Sequence, residues 1–208
     1  EQSIETDAGF GVAAAATGLG GNERLLAAPT VMDAGRIQTD ESVDFEIDEL
    51  RGATGYRTQI ARDAGFIEVI GQNVSQMANV SFNDLEDGRY FVRARAISPS
   101  GLEGLSDVSS FRRKRVGSEA GTEESPIADA FKFAWRILGT GNSYAAFQLW
   151  NAENPTVLLV DEIGLEQSAL LVGSLAPGTY NWRVATFQID EGDTIKVWAP
   201  TQELAVSE

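Results

Sequence analysis

The sequence contains no cysteine and no histidine. The first absence excludes thiolate metal sites, thiol nucleophiles and disulfide staples together. It does not fix a compartment, because a domain with a sufficient core needs no disulfide even in oxidising surroundings. The second excludes serine–histidine triads, histidine general bases and histidine metal sites. Positive charge is also scarce: 16 Lys and Arg stand against 31 Asp and Glu, a net charge of −15. Such a field repels polyanions, so no nucleic acid or anionic lipid partner is expected. No run approaches the ~20 apolar residues of a membrane-spanning helix, so no membrane insertion is expected. No basic-then-apolar signal peptide is visible, and a chain starting at Glu1 reads as a mature form or an excised fragment.

What is present is a chain of 208 residues with 43% hydrophobic content, enough for two ordinary domains and their cores. Ala13 to Ala16, then Gly18, Gly20, Gly21 and Asn22, offer no face to bury. Residues 1–27 therefore read as a tail or leader strand. Beyond Pro29, short alternating runs separated by Gly, Asp, Asn, Ser and Pro predict an all-β sandwich. Val43, Phe45 and Ile47 alternate with acids; Tyr56, Thr58 and Ile60 alternate with Arg57, Gln59 and Ala61. Tyr90, Val92, Ala94 and Ala96 alternate with Phe91, Arg93 and Arg95. Ile67 to Ile70, Val80 to Phe82 and Ser106 to Phe111 supply further strands, and no segment sustains a helical period. The basic run Arg112-Arg113-Lys114-Arg115 reads as a solvated strand edge, where charge discourages edge-to-edge pairing. Small, acidic residues from Gly117 to Ser125 predict a linker. The domains expected are sandwiches over 28–116 and 126–208, joined by a linker over 117–125.

The second half repeats the first. Phe45, Ile47 and Tyr56 correspond to Phe133, Trp135 and Tyr144 at an offset of 88. Leu85, Gly88, Tyr90 and Arg93 correspond to Leu175, Gly178, Tyr180 and Arg183 at an offset of 90. A period near 90 residues is one sandwich domain rather than a solenoid unit, whose period is roughly 20–50. Trp135 is expected to fill the centre between two sheets, with Tyr56 and Tyr144 packing on the same core. Each Leu-x-x-Gly-x-Tyr is expected to form a corner: leucine plugs the sandwich end, glycine permits the turn, and tyrosine buries its ring while returning its hydroxyl to nearby backbone.

Three stretches carry a family resemblance. Gly55-Tyr56-Arg57-Thr58-Gln59-Ile60-Ala61-Arg62-Asp63 with Phe66, then Leu85-Glu86-Asp87-Gly88-Arg89-Tyr90-Phe91-Val92-Arg93-Ala94-Arg95-Ala96-Ile97, then Ser100-Gly101-Leu102-Glu103-Gly104, resemble fibronectin type III-like modules of bacterial FecR-domain proteins. Gly9-Phe10-Gly11-Val12 and Leu25-Leu26-Ala27-Ala28-Pro29 are similar to the junction after the FecR domain. The second half shares the likeness less closely, through Phe133-Ala134-Trp135 and Leu175 to Val184. Ile47 departs from the family's usual tryptophan, and Glu86-Asp87 from its prolines. The resemblance implies an all-β fold of two tandem immunoglobulin-like, fibronectin type III-like antiparallel sandwiches. It also implies a periplasmic or envelope location and no catalytic residues.

Chemistry would have to come from carboxylates, Lys, Tyr, Ser or Thr. Asp190, Glu191 and Asp193, or Asp84, Glu86 and Asp87, are the carboxylate groups a glycoside hydrolase would need, but both sets fall at turns and neither brings a second motif. Asp190, Glu191 and Asp193 are also candidate calcium donors, against a plain Asp/Gly turn. Asn73-Val74-Ser75 and Asn79-Val80-Ser81 match a glycosylation sequon that has no meaning in a bacterial protein. No cofactor is expected. The expected function is a non-catalytic spacer and protein-interaction module of the cell envelope, positioning a FecR-type sensor domain or contacting an envelope protein. The alternative is carbohydrate or peptidoglycan binding, with Trp150 and Trp198 as stacking platforms and cell-wall glycan as partner.

Overall fold

In the computed structural model, residues 4–15 and 18–207 are described; Glu1, Ala16 and Glu208 fall outside them. Among the described residues every regular element is a strand. The chain divides into two compact units, Glu1–Lys114 and Arg115–Glu208.

The first unit opens with a hairpin of β1 (Phe10–Ala15) and β2 (Gly18–Arg24), followed by β3 (Ile37–Gln38), β4 (Val43–Glu46), β5 (Gly55–Ala61), β6 (Val69–Ser75), β7 (Asn79–Phe82), β8 (Gly88–Ile97) and β9 (Glu103–Arg113). Antiparallel β4 and β7 form one sheet, which a bridge between Val31 and Ile47 extends. The facing sheet runs β3-β9-β8-β5-β6, with β3 parallel to β9. Alternation decides the packing. Val43, Phe45 and Ile47 from one sheet meet Tyr56, Ile60, Tyr90, Val92, Ala94 and Phe111 from the other in a single buried cluster. Phe45 sets its ring edge-on to Phe111, centroids 5.0 Å apart, a favoured aromatic geometry.

The second unit contains β10 (Gly117–Glu123), β11 (Ala130–Leu138), β12 (Ser143–Asn151), β13 (Leu158–Leu165), β14 (Ala169–Gly173), β15 (Gly178–Asp190), β16 (Asp193–Trp198) and β17 (Gln202–Val206). Its sheets are β10-β11-β14 and β13-β12-β15-β16, with β17 also pairing β15. Phe133, Trp135, Phe147, Leu149, Tyr180, Trp182 and Val184 fill the interior. Phe133 lies 4.8 Å from Trp182 and 4.9 Å from Phe147, centroid to centroid. The strand order β4-β7 against β6-β5-β8-β9 recurs as β11-β14 against β13-β12-β15-β16.

Four expectations need correcting. The linker over 117–125 is mostly β10, all seven of whose residues pair with β11. Glycine and serine carry little strand signal, but cross-strand ion pairs Glu119–Arg136 and Glu123–Lys132 support this edge. The units are joined instead by Lys114, Arg115 and Val116, which separate β9 from β10. The leader over 1–27 includes a hairpin, and Leu26 accepts a backbone hydrogen bond from Leu105 at 2.9 Å. A side chain on Gly104 would sit 2.6 Å from that Leu26 carbonyl, which explains why this position has none. The basic run is not a solvated edge. Arg113 is buried and donates to the carbonyls of Gln38, Glu41 and Leu85, while Lys114 holds Asp87 at 2.8 Å. Finally, the strand expected over Ile67–Ile70 begins at Val69, and Ile67 stands 92% exposed on the preceding turn.

Candidate functional site: the outer faces of the larger sheets

Which side chains reach the outer face of β12 follows from its phase. Ala145, Phe147 and Leu149 point inward, so Tyr144, Ala146, Gln148 and Trp150 point outward. On β15, Tyr180, Trp182 and Val184 point inward, so Arg183, Ala185 and Phe187 share the outer face with Lys196 and Trp198 of β16. This corrects the expected core position of Tyr144: its ring lies outside the sandwich, stacked on Phe187 at 4.9 Å with planes 8° apart. The offset of 88 that pairs Phe45 with Phe133 does not extend to β12. Gln59 and Gln148 are the true equivalents, at an offset of 89, so Tyr56 matches Ala145. A slip of one residue moves a strand's side chains to the other face.

The outer face of the second unit is a ladder of rings and cations. Tyr144 stacks on Phe187; the Lys196 ammonium lies 5.1 Å from the Phe187 ring and 4.6 Å from Trp198. The Arg183 guanidinium lies 4.1 Å from Trp198 and 5.5 Å from Trp150. Trp198 is opposite Ala185, whereas Lys196 is opposite Phe187, so Lys196 and Arg183 approach the indole from opposite directions along the strands. Each contact is favourable by about 0.5–2 kcal/mol, according to how far the cation is desolvated. Trp150 and Trp198, the expected stacking platforms, are both half-buried within this arrangement.

Beneath the ladder lies a device that both units share. Gln148 accepts from Arg183 at 3.0 and 2.8 Å and donates to Asp161 at 3.0 Å. In the first unit Gln59 accepts from Arg93 at 2.8 Å and donates to Gln72 at 2.8 Å. There the ring over the arginine is Phe66, 4.1 Å away, carried on the turn between β5 and β6. Phe66 is buried although it adopts φ 55. Asp63 secures that turn by accepting from the Ile67 and Glu68 amides, and these bonds hold its carboxyl below the usual pKa. Burial pushes the Arg93 pKa down, Arg95 adds repulsion and Glu103 opposes both.

The remaining expected residues are structural in placement. Tyr90 donates to the Glu86 carbonyl at 3.0 Å and Tyr180 to the Ala176 carbonyl at 2.8 Å, four residues back in each case. Leu85 and Leu175 pack partly buried against their cores. The left-handed residues of the two corners are Asp84 at φ 61 and Ser174 at φ 51, not the glycine of the first corner. Gly88 instead leaves room for the Tyr90 ring, 3.4 Å from where a Cβ would stand. Tyr56 is buried, and its hydroxyl accepts from the Leu50 amide at 2.8 Å. Glu191 and Gly192, at φ 51 and 90, make the two-residue turn between Asp190 and Asp193, the mirror-image turn that hairpins prefer. Among the described residues, Asp190, Glu191 and Asp193 do not converge as a metal-binding group. Of the other carboxylates considered, Asp87 holds Lys114.

Two packed sheets per unit, corner tyrosines near the start of β8 and β15 and the repeated strand order define the fold class: tandem immunoglobulin-like sandwiches of the fibronectin type III kind. No family model matches the chain, and no curated protein matches it. Among solved structures, the chain is similar to chicken CNTN1 FN1-FN3 domains, with 12% identity, a TM-score of 0.39, and coverage of 95% of this chain and 74% of that one. It is similar to the fibronectin(III)-like modules of Clostridium thermocellum CbhA, with 10% identity, a TM-score of 0.34, and coverage of 84% and 90%. The third is a two-domain fibronectin type III segment of chicken tenascin, with 12% identity, a TM-score of 0.36, and coverage of 86% and 97%. These likenesses are loose, and the class rests on the chain's own strand order.

Proposed function

We propose that this chain is a non-catalytic spacer and protein-interaction segment of a cell-envelope protein, placed after a FecR-type sensor domain. The carrying observation is the same sandwich built twice with three residues between its strands. That economy suits a segment that sets a distance and presents surfaces. The location and the FecR neighbour rest on the sequence likeness of residues 55–104. The non-catalytic reading draws support from where the reactive-looking groups sit. The acids at 190–193 form a turn, Asp87 holds a lysine, and the large rings fill cores or stack on cations. The carbohydrate alternative is less favoured, since Trp150 and Trp198 are both half-buried and already engaged by Arg183, and Trp198 by Lys196 as well. Affinity capture from bacterial envelope extract with the tagged chain as bait tests the interaction: specific recovery of an envelope protein is expected, and recovery of nothing above background overturns it.

A further inference from the structure

From 115 to 208 the sequence carries 13 acidic residues and five basic ones: Arg115, Lys132, Arg136, Arg183 and Lys196. In so acidic a unit each cation would be expected to find a carboxylate. Lys132 and Arg136 do, on the smaller sheet. Among the described residues Arg183 and Lys196 have no carboxylate partner, and both lie on the outer face of the β13-β12-β15-β16 sheet. Their neighbours are rings and one amide, which hold them in place without cancelling their charge. One carboxylate, Asp161, shares this face, opposite Gln148 and accepting from its amide at 3.0 Å; beyond it the surroundings are apolar. The register places Ile163, Ala146, Ala185 and Trp198 in one row, and Ile163 is 66% exposed at its edge. Ile189, 55% exposed, follows Phe187 on the same face of β15.

We infer that this face docks an acidic segment of a partner protein, one that alternates carboxylates with apolar side chains. The inference rests on the protein-interaction reading above and names the surface and the partner's chemistry. Fixed cations on an apolar bed favour carboxylates that arrive with hydrocarbon beside them. The cations are already ordered by their rings, so little side-chain entropy remains to be lost on binding. The net charge of −15 opposes any acidic partner at long range, so the occupant is a short segment whose few carboxylates reach Arg183 and Lys196 directly, rather than a second copy that brings the whole −15 with it.

The test uses the whole chain and a synthetic decapeptide of alternating Glu and Leu, with a Lys-Leu analogue as control. Binding is read by calorimetry and tryptophan fluorescence. The Glu-Leu peptide is expected to bind and to weaken as salt rises. Lys196→Gln is expected to weaken it by about tenfold, with a lower melting temperature from the lost ring contacts but the chain still folded at the assay temperature; the Lys-Leu peptide is expected not to bind. Arg183→Gln provides a second variant with the same expected direction. The inference is overturned by no response to the Glu-Leu peptide at millimolar concentration, or by wild-type affinity in both variants. A fluorescence response to glycan fragments instead, or self-association that Lys196→Gln abolishes in sedimentation velocity, also overturns it. If envelope capture succeeds equally well with Lys196→Gln as bait, this surface is wrong while the interaction reading stands.

Discussion

Tyr180 and Tyr90 each combine a buried ring with one hydrogen bond to a carbonyl four residues earlier. The two contributions separate by substitution. Tyr180→Phe keeps the ring and removes the bond, so urea unfolding should show a loss of about 0.5–1.5 kcal/mol. Trp182, fully buried and packed against Phe133 and Phe147, should cost about 3–5 kcal/mol on truncation to alanine. Asp63 poses a different residue-scale question. Its folded-state pKa is depressed by backbone donors, so its support for the turn is complete above the ordinary carboxylate pKa. That support is lost as pH falls through the depressed value. In amide NMR the Ile67 and Glu68 signals should therefore titrate with a midpoint below the usual aspartate range. Asp63→Asn should abolish that titration; an ordinary midpoint would show that the turn does not depend on these bonds.

At the scale of strands, β12 shows how a sequence pattern can mislead by one position. Tyr56 and Tyr144 look equivalent because each is an aromatic residue opening a strand soon after a Phe-x-Φ pair, where Φ is Ile47 or Trp135. The residues that carry the true phase, Gln59 and Gln148, resemble any solvent-facing polar side chain until their arginines are seen. Truncation distinguishes the two phases. Tyr144→Ala should cost clearly less than Phe147→Ala, for which about 3–5 kcal/mol is expected in denaturant melts, because only Phe147 leaves a cavity in the interior. The corner strands and the Phe133–Trp135 strand were legible, since large rings at fixed spacing identify both strand and face. β10 was not, because Gly117, Ser118 and Gly121 lack the side chains from which alternation is read. The basic run failed for another reason: Arg113 is satisfied by carbonyls at 38, 41 and 85, contacts that no local window contains. The ladder was half legible. Trp150 and Trp198 stood out, but Arg183, which reaches both, comes from β15, a separate stretch of chain.

At the scale of the molecule, each unit owns a complete interior, so damage to one core need not reach the other. Gly139 offers a sharp way to test this. It adopts φ +87, and a Cβ there would lie 1.8 Å from the Arg115 carbonyl oxygen, inside the second unit. Gly139→Ala therefore combines left-handed strain with a collision that a rigid backbone cannot relieve, and a loss above about 3 kcal/mol is expected. Two independently folding units predict that scanning calorimetry of this variant shows one transition moved down by several degrees and a second left in place. If both transitions move together, the interiors are not energetically separate. The chain would then act as one cooperative body, and the docking face on the second unit would have to be understood as a property of the pair.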